Sequence, residues 1–193
     1  DHRDLHLCDR RQRQMCIRHS QYNVTKLRWM FPGGANGQES ICNGIYGLKN
    51  IDVKDDDLVL IHDAVRPLVS QSIISSNIAT CKHYGYAITG IRCREAILES
   101  EDGFYSTTSI SRDKLIRTQT PQTFRLEDII NAHEKAKEKG IVNSVSSCTL
   151  LAELGGYEMH IVPGEGRNIK ITTTEDLEIF KVMLQTSKEE WLK

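Results

Sequence analysis

"DLVLIHDAVRP", Asp57–Pro67, decides the fold class. Leu58–Ile61 is a continuous apolar run, the pattern of a strand covered on both faces in a parallel sheet. His62, Asp63, Arg66 and Pro67 follow at once. A strand needs neither a carboxylate nor a guanidinium at its end. In open α/β sheets, however, ligands bind beyond the carboxyl ends of the strands. A carboxylate there can hold Mg²⁺, which keeps several waters and takes phosphate oxygens as co-ligands. An arginine beside it can grip a phosphate with its planar fork. An internal Asp63–Arg66 ion pair, closing the loop before Pro67, explains the same residues equally well.

Working outward, Ser70–Gly85 reads as a helix stopped by Gly85, and "YAITGI" (Tyr86–Ile91) as the next strand. Upstream, "KLRWMF" (Lys26–Phe31) reads as a short strand and "PGGANG" (Pro32–Gly37) as a loop. Gln38–Leu48 places Ile41, Ile45 and Leu48 at helical spacing. This β-α-β-α-β order predicts a doubly wound, mostly parallel α/β sheet of Rossmann-like type. The rhythm breaks at Cys93–Phe124. Alternation around Glu101-Asp102-Gly103 signals a hairpin, so a β-arm over about 93–120 is inserted into the core. Leu126–Lys139 is an amphipathic helix with Ile129, Ile130 and His133 on one face. Ser146–Leu154 is a helix ended by Gly155 and Gly156. "YEMHIV" (157–162) and "NIKIT" (168–172) read as strands. Thr174–Leu192 closes the fold, with Thr174 as N-cap and Glu175 and Asp176 in the first turn. Asp1–Thr25 is rich in basic residues and His and poor in apolar period, and reads as an irregular or remnant lead-in. Residues 26–193 form the single domain.

A chain of 193 residues can bury one α/β core. The 26 acids and 25 bases leave a net charge of -1, which argues against a general nucleic-acid binder. No apolar run approaches membrane-spanning length, and "DHRDLHLCDRRQRQ" has no apolar segment of a signal peptide. The six cysteines form no C-x-x-C pair. Reduced, mostly buried thiols of a cytoplasmic protein are expected, not zinc or a disulfide framework.

Three further stretches carry candidate chemistry. In "PGGANGQES", Gly33 and Gly34 allow close backbone approach to a ligand. Ser40 caps the helix or binds a base or phosphate. An ordinary strand-to-helix turn explains a lone Gly-Gly better. In "SRDKLIRTQTPQTF" (Ser111–Phe124), Thr120-Pro121-Gln122 is a tight polar segment where the arm rejoins the core, preceded by Arg112 and Arg117. A solvated charged arm accounts for Arg117 well and for Arg112 less clearly. In "GRNIKIT", strand alternation turns Lys170 away from its neighbours, toward a pocket or toward solvent. Taken alone, a solvent-facing lysine is the simpler reading.

Together, "GGANGQES", "IHDAVRP", "TQTPQTF" and "NIKITTTEDL", in this order, resemble the cytidylyltransferases that activate alditol phosphates. That group includes the ribitol 5-phosphate and 2-C-methyl-D-erythritol 4-phosphate enzymes. The resemblance spans roughly Leu27–Leu184. It implies transfer of CMP from CTP to a sugar-alcohol phosphate, with Mg²⁺ and release of pyrophosphate. Two anions must meet, so catalysis is mostly positioning and charge neutralisation. By the resemblance, Gly33, Gly34, Ala35 and Ser40 contact the cytidine. Asp63 sits at the triphosphate or the metal and orients the acceptor, with Ala64 and Thr120 among the substrate contacts. Arg66 and Lys170 bind the acceptor phosphate. Arg112 reaches it from the β-arm of a second subunit, in a homodimer formed through that arm. Val145-Ser146 stand where a Thr-Asp pair is common, and Ser146 keeps an acceptor contact. The resemblance also implies a Gly-rich loop, A-A-G-x-G-x-R followed by Lys, which cradles the triphosphate. Asp1–Thr25 holds no counterpart, and Gly37 stands where Arg is frequent. One lost donor costs about 10²–10³ in rate, so this chain is expected to be weak or inactive beside a longer parent. Val65 in "HDAVRP" points to ribitol 5-phosphate as acceptor, serving teichoic-acid or other surface-polymer synthesis. Methylerythritol phosphate, an isoprenoid precursor, comes second, and a non-catalytic dimer-forming remnant third.

Overall fold

The computed structural model describes residues 27–51, 54 and 56–190, with side chains through 185. The lead-in reading of Asp1–Thr25 lies outside the described residues. In chain order the elements are α1 (Gly37–Lys49), β1 (Leu58–Ile61), α2 (Gln71–Tyr84), β2 (Tyr86–Arg92), β3 (Ile97–Glu99), β4 (Thr108–Ile110), a 3₁₀ turn (Arg112–Lys114), β5 (Ile116–Arg125), α3 (Leu126–Glu138), α4 (Ser147–Leu154), β6 (His160–Pro163) and α5 (Thr174–Glu190). They divide into two compact units. One joins Asp1–Asp57 with Leu126–Tyr157, the other Leu58–Arg125 with Glu158–Lys193.

The second unit holds a four-stranded sheet ordered β1-β5-β2-β6. β2 and β6 pair parallel, while β5 runs antiparallel to both β1 and β2. Three strands therefore share one direction, and β5 is inserted against them. The reason lies in the arm. The chain leaves the sheet at Arg92 and returns at Ile116, directly opposite in the ladder, so the returning strand must run backward. α2 packs against all four of these strands. Ser70 caps its start, accepting from the Ile73 amide, and Gly85, with φ of 89°, ends it. Ile73, Asn77 and Cys81, spaced four apart, form its buried face. Cys81 meets Ala87 and Val162, with Leu58 packed alongside. Burying such side chains contributes about 1.5–3 kcal/mol for each large aliphatic residue. Asn77 is fully buried, and its Nδ2 donates to Thr89 Oγ1 at 2.8 Å, whose hydroxyl donates to Pro121 O at 2.6 Å. The desolvation cost of each of these donors is thus met by a partner.

β3 and β4 form a separate two-stranded ladder, Ile97↔Ile110 to Glu99↔Thr108. At its tip Asp102 Oδ1 accepts from the Phe104 and Tyr105 amides, and Gly103 has φ of 76°. Phe104 and Tyr105 are 86% and 81% exposed.

The first unit is helical. α3 packs on α1 and on α4. α3 buries Ile129, Ile130 and His133, the face expected from the sequence. Asn36 caps α1 through its Oδ1, which accepts from Glu39 N at 2.9 Å. Gln38 clasps the segment after α3, donating to Ile141 O and accepting from Ser144 N, each at 2.7 Å.

Several expectations fail. Leu27–Phe31 is not a strand, nor is Asn168–Thr172. Both short segments alternate correctly, but neither joins a strand ladder among the described residues, and a lone alternating segment cannot be stable as a strand. Residues 157–159 likewise stay outside β6. Thr120-Pro121-Gln122, the tight polar segment where the arm rejoins the core, is the middle of β5, a strand the sequence did not delimit, and Gln119–Phe124 are all buried. Its polar side chains hid a central strand. At α5 the cap lies one residue earlier than expected: Thr173 Oγ1 accepts from Asp176 N, and Asp176 Oδ2 accepts from Thr173 N, a reciprocal box. Cys81 and Cys148 are buried, whereas Cys42 and Cys93 are only partly so, and all four are free thiols.

Candidate active site

In the second unit, β1 ends at Ile61 and the chain turns tightly over Asp63–Arg66, closed by Arg66 N donating to Asp63 O at 2.9 Å. Ala64 and Val65 are the two exposed central residues of that turn. The turn faces Asp63 and Arg66 toward each other. Arg66 Nε reaches Asp63 Oδ2 at 3.2 Å, and Lys170 Nζ reaches the same oxygen at 3.2 Å. Asp63 Oδ1 carries no bond among the described residues. One carboxylate oxygen thus holds two cations, with the Arg66 side chain 12% exposed and that of Lys170 47%. Lys170 gets there from an irregular segment rather than a strand, which is pinned where Ile171 N donates to Val65 O at 2.8 Å.

Thr120, in β5, accepts from the Asp63 amide at 2.9 Å, and its Oγ1 lies 3.0 Å from His62 Nδ1. Asn168, fully buried, donates to Thr120 O at 2.9 Å, and its own carbonyl accepts from Arg66 Nη1 at 2.8 Å. Gln119 Nε2 donates to Glu165 O at 2.9 Å. The two readings of "HDAVRP" therefore merge: the ion pair exists, and its net charge with Lys170 is positive and partly open to solvent. Arg112 takes no part in this cluster. It sits in the 3₁₀ turn, exposed, donating through Nη1 to Arg94 O at 2.9 Å.

The cytidine-side candidates lie in the first unit. Gly34 N donates to Ser40 Oγ at 2.9 Å, Ser40 Oγ donates to Asn36 O at 2.8 Å, and Ala35 N donates to Glu39 Oε2. A Cβ on Gly34 would collide with the Glu39 side chain, so glycine is required there, whereas Gly33 has only Ser40 Oγ at 3.9 Å. Ser146 is the N-cap of α4, in a capping box with Thr149.

His62, Asn168, Gln119 and Glu39 are not among the residues that the sequence singled out. His62 adjoins Asp63, and Asn168 stands two residues before Lys170. A polar residue closing an apolar run was the signal that could have found His62, whereas Asn168, Gln119 and Glu39 flank no such run.

Comparison with known proteins now decides the family. A family model described as IspD: 2-C-methyl-D-erythritol 4-phosphate cytidylyltransferase matches residues 12–186. This chain belongs to the IspD family. Its relatives carry two names. A Ribitol-5-phosphate cytidylyltransferase of Streptococcus agalactiae is 35% identical over 170 residues, 88% of this chain and 70% of that protein. A 2-C-methyl-D-erythritol 4-phosphate cytidylyltransferase of Clostridium acetobutylicum is 35% identical over 166 residues, 86% of this chain and 69% of that protein. Among solved IspD structures, the enzyme of Thermus thermophilus superposes with a TM-score of 0.69 at 27% identity, covering 79% of this chain and 71% of that one. The 4-diphosphocytidyl-2C-methyl-D-erythritol synthase of Anaerococcus prevotii gives 0.76 at 25% identity, covering 91% and 75%. The mixed α/β sheet with its helices is the IspD nucleotidyltransferase fold.

Proposed function

We propose that this chain is built for cytidylyl transfer from CTP to an alditol phosphate, ribitol 5-phosphate before methylerythritol phosphate. An oxygen of the acceptor phosphate attacks the α-phosphorus of CTP in line. A phosphoanhydride forms, the bond from the α-phosphorus to its bridging oxygen breaks, and pyrophosphate leaves. The observation that carries this reading is the convergence of Arg66 and Lys170 on one oxygen of Asp63. Two cations on a single carboxylate leave a net positive charge, suited to an incoming phosphate whose approach to a triphosphate would otherwise be repulsive. Arg66 and Lys170 hold the acceptor phosphate, while Gly33, Gly34, Ala35 and Ser40 meet the cytidine. Names of relatives favour neither acceptor outright, and Val65 in the Asp63–Arg66 turn supports ribitol 5-phosphate.

A divalent cation fits this site. Among the described residues no cluster of three or more His, Cys, Asp or Glu side chains exists to cage a metal. Mg²⁺ needs no such cage, since one carboxylate and substrate phosphates suffice. The free Oδ1 of Asp63 is the protein oxygen that would hold it, and when bound it would neutralise triphosphate charge. The acceptor grip extends, in this reading, to Arg112 delivered by the β-arm of a second copy. The exposed Phe104 and Tyr105 at the arm's tip support that homodimer. A cytoplasmic site of action is part of the same proposal; no helix among the described residues is long and apolar enough to cross a membrane.

Pyrophosphate release from CTP and Mg²⁺, with each acceptor offered separately, tests the reading. Release with ribitol 5-phosphate and not with methylerythritol phosphate is expected. Release with neither acceptor would refute it.

A further inference from the structure

We infer that His62 is a positioning residue for the acceptor-phosphate grip, its ring locking the Asp63–Arg66 turn at both ends. The inference rests on the proposed role of Arg66. Its evidence is a closed set of hydrogen bonds. His62 Nε2 lies 3.0 Å from Arg66 O, and His62 Nδ1 lies 3.0 Å from Thr120 Oγ1, which itself accepts from Asp63 N at 2.9 Å. A carbonyl can only accept, so Nε2 carries the proton. In the neutral ring Nδ1 is then the acceptor, and the Thr120 hydroxyl donates to it. That leaves a lone pair of the same oxygen for the Asp63 amide. Each proton position requires the next, and the opposite tautomer would break the bond between Nε2 and the Arg66 carbonyl.

The ring thus fixes the first and last residues of the turn that carries both charges. Asn168 closes the loop from the other side, holding Thr120 O and Arg66 Nη1. Arg66 is therefore anchored by backbone through His62 and by side chain through Asn168, both referred to the central strand β5. Partners that orient a functional group without touching substrate commonly matter about 10–100-fold when removed.

The test compares the protein with His62→Phe, which fills the space but has no ring nitrogen, and His62→Gln, which keeps a donor within reach of Arg66 O. Titration calorimetry with ribitol 5-phosphate and, separately, CTP reads the effect. His62→Phe is expected to weaken ribitol 5-phosphate about 10–100-fold and to leave CTP affinity unchanged, with His62→Gln recovering part of the loss. A folded His62→Phe with unaltered acceptor affinity, or with equal losses for both ligands, overturns the inference. If the unmodified protein binds neither ribitol 5-phosphate nor methylerythritol phosphate, the functional reading fails, and the lock is judged by the ring itself. Nitrogen-15 spectra of labelled histidine should then show His62 as the Nε2–H tautomer, with the Nδ1 resonance shifting in Thr120→Val as it loses the hydroxyl donor. An Nδ1–H ring, or one indifferent to Thr120→Val, overturns it.

Discussion

At the scale of single residues, Asp63 Oδ2 is the pivot, because Arg66 and Lys170 both end on it. Replacing either cation should affect one substrate selectively. Arg66→Ala and Lys170→Ala are expected to lower kcat/KM for the acceptor by about 10²–10³, with a much smaller change for CTP. Steady-state kinetics with each substrate varied in turn checks this, and equal losses would contradict the assigned roles. Arg66→Lys should rescue little, since an ammonium cannot reach both Asp63 and the Asn168 carbonyl as the guanidinium fork does. A second residue sets a pH response. His133 on α3 is 5% exposed, its Nε2 has no partner among the described residues, and burial pushes its imidazole down from 6.5 to about 4. The folded protein therefore holds this ring neutral where the unfolded chain would protonate it. Its contribution is intact above pH 6.5 and is lost progressively as pH falls toward 4. The slope is about 1.4 kcal/mol per pH unit within that window. Urea midpoints between these limits should fall steeply for the native protein and less steeply for His133→Leu.

At the scale of elements, the loop before α1 and the strand β5 show opposite sides of sequence legibility. The loop's two glycines are adjacent and look equivalent, yet only Gly34 is hemmed in, with the Glu39 backbone carbon 2.8 Å from the place an alanine methyl would take. Gly34→Ala is expected to displace the loop and raise the KM for CTP about tenfold, since misplacements near 1 Å can cost up to about 10²-fold. Gly33→Ala should be nearly silent, and equal effects of the two would refute the geometric distinction. α1, α2, α3 and α4 were readable because period, caps and stop glycines agreed. β5 was not. Gln119, Thr120, Gln122 and Thr123 are buried polar residues, and a polar run carries no apolar alternation from which a buried strand could be delimited. Several are satisfied by partners far along the chain: Thr120 by His62, Asp63 and Asn168, Gln119 by Glu165 and Asn168. No local rule can anticipate those.

At the scale of the whole molecule, the arm is the feature that couples one copy to another in the proposed mechanism. Phe104 and Tyr105 stand exposed at its tip, and Arg112 follows in the turn that leads into β5. Phe104→Ser with Tyr105→Ser is expected to shift the protein from dimer to monomer in sedimentation velocity and to depress acceptor use while sparing CTP binding. A dimer that survives this double substitution would remove the arm's tip from the interface. By itself the sequence determined the α/β class, the helices, the arm, and Asp63, Arg66 and Lys170 as a set of charges, because these depend on local period and on motif order. Only the tertiary structure decided that the three charges share one oxygen, that β5 runs backward through the sheet, and that His62 and Asn168 hold the turn in place. Those facts depend on which distant backbones pair and which buried polar groups find each other, a choice made by the packing of the whole sheet and not by any segment of it.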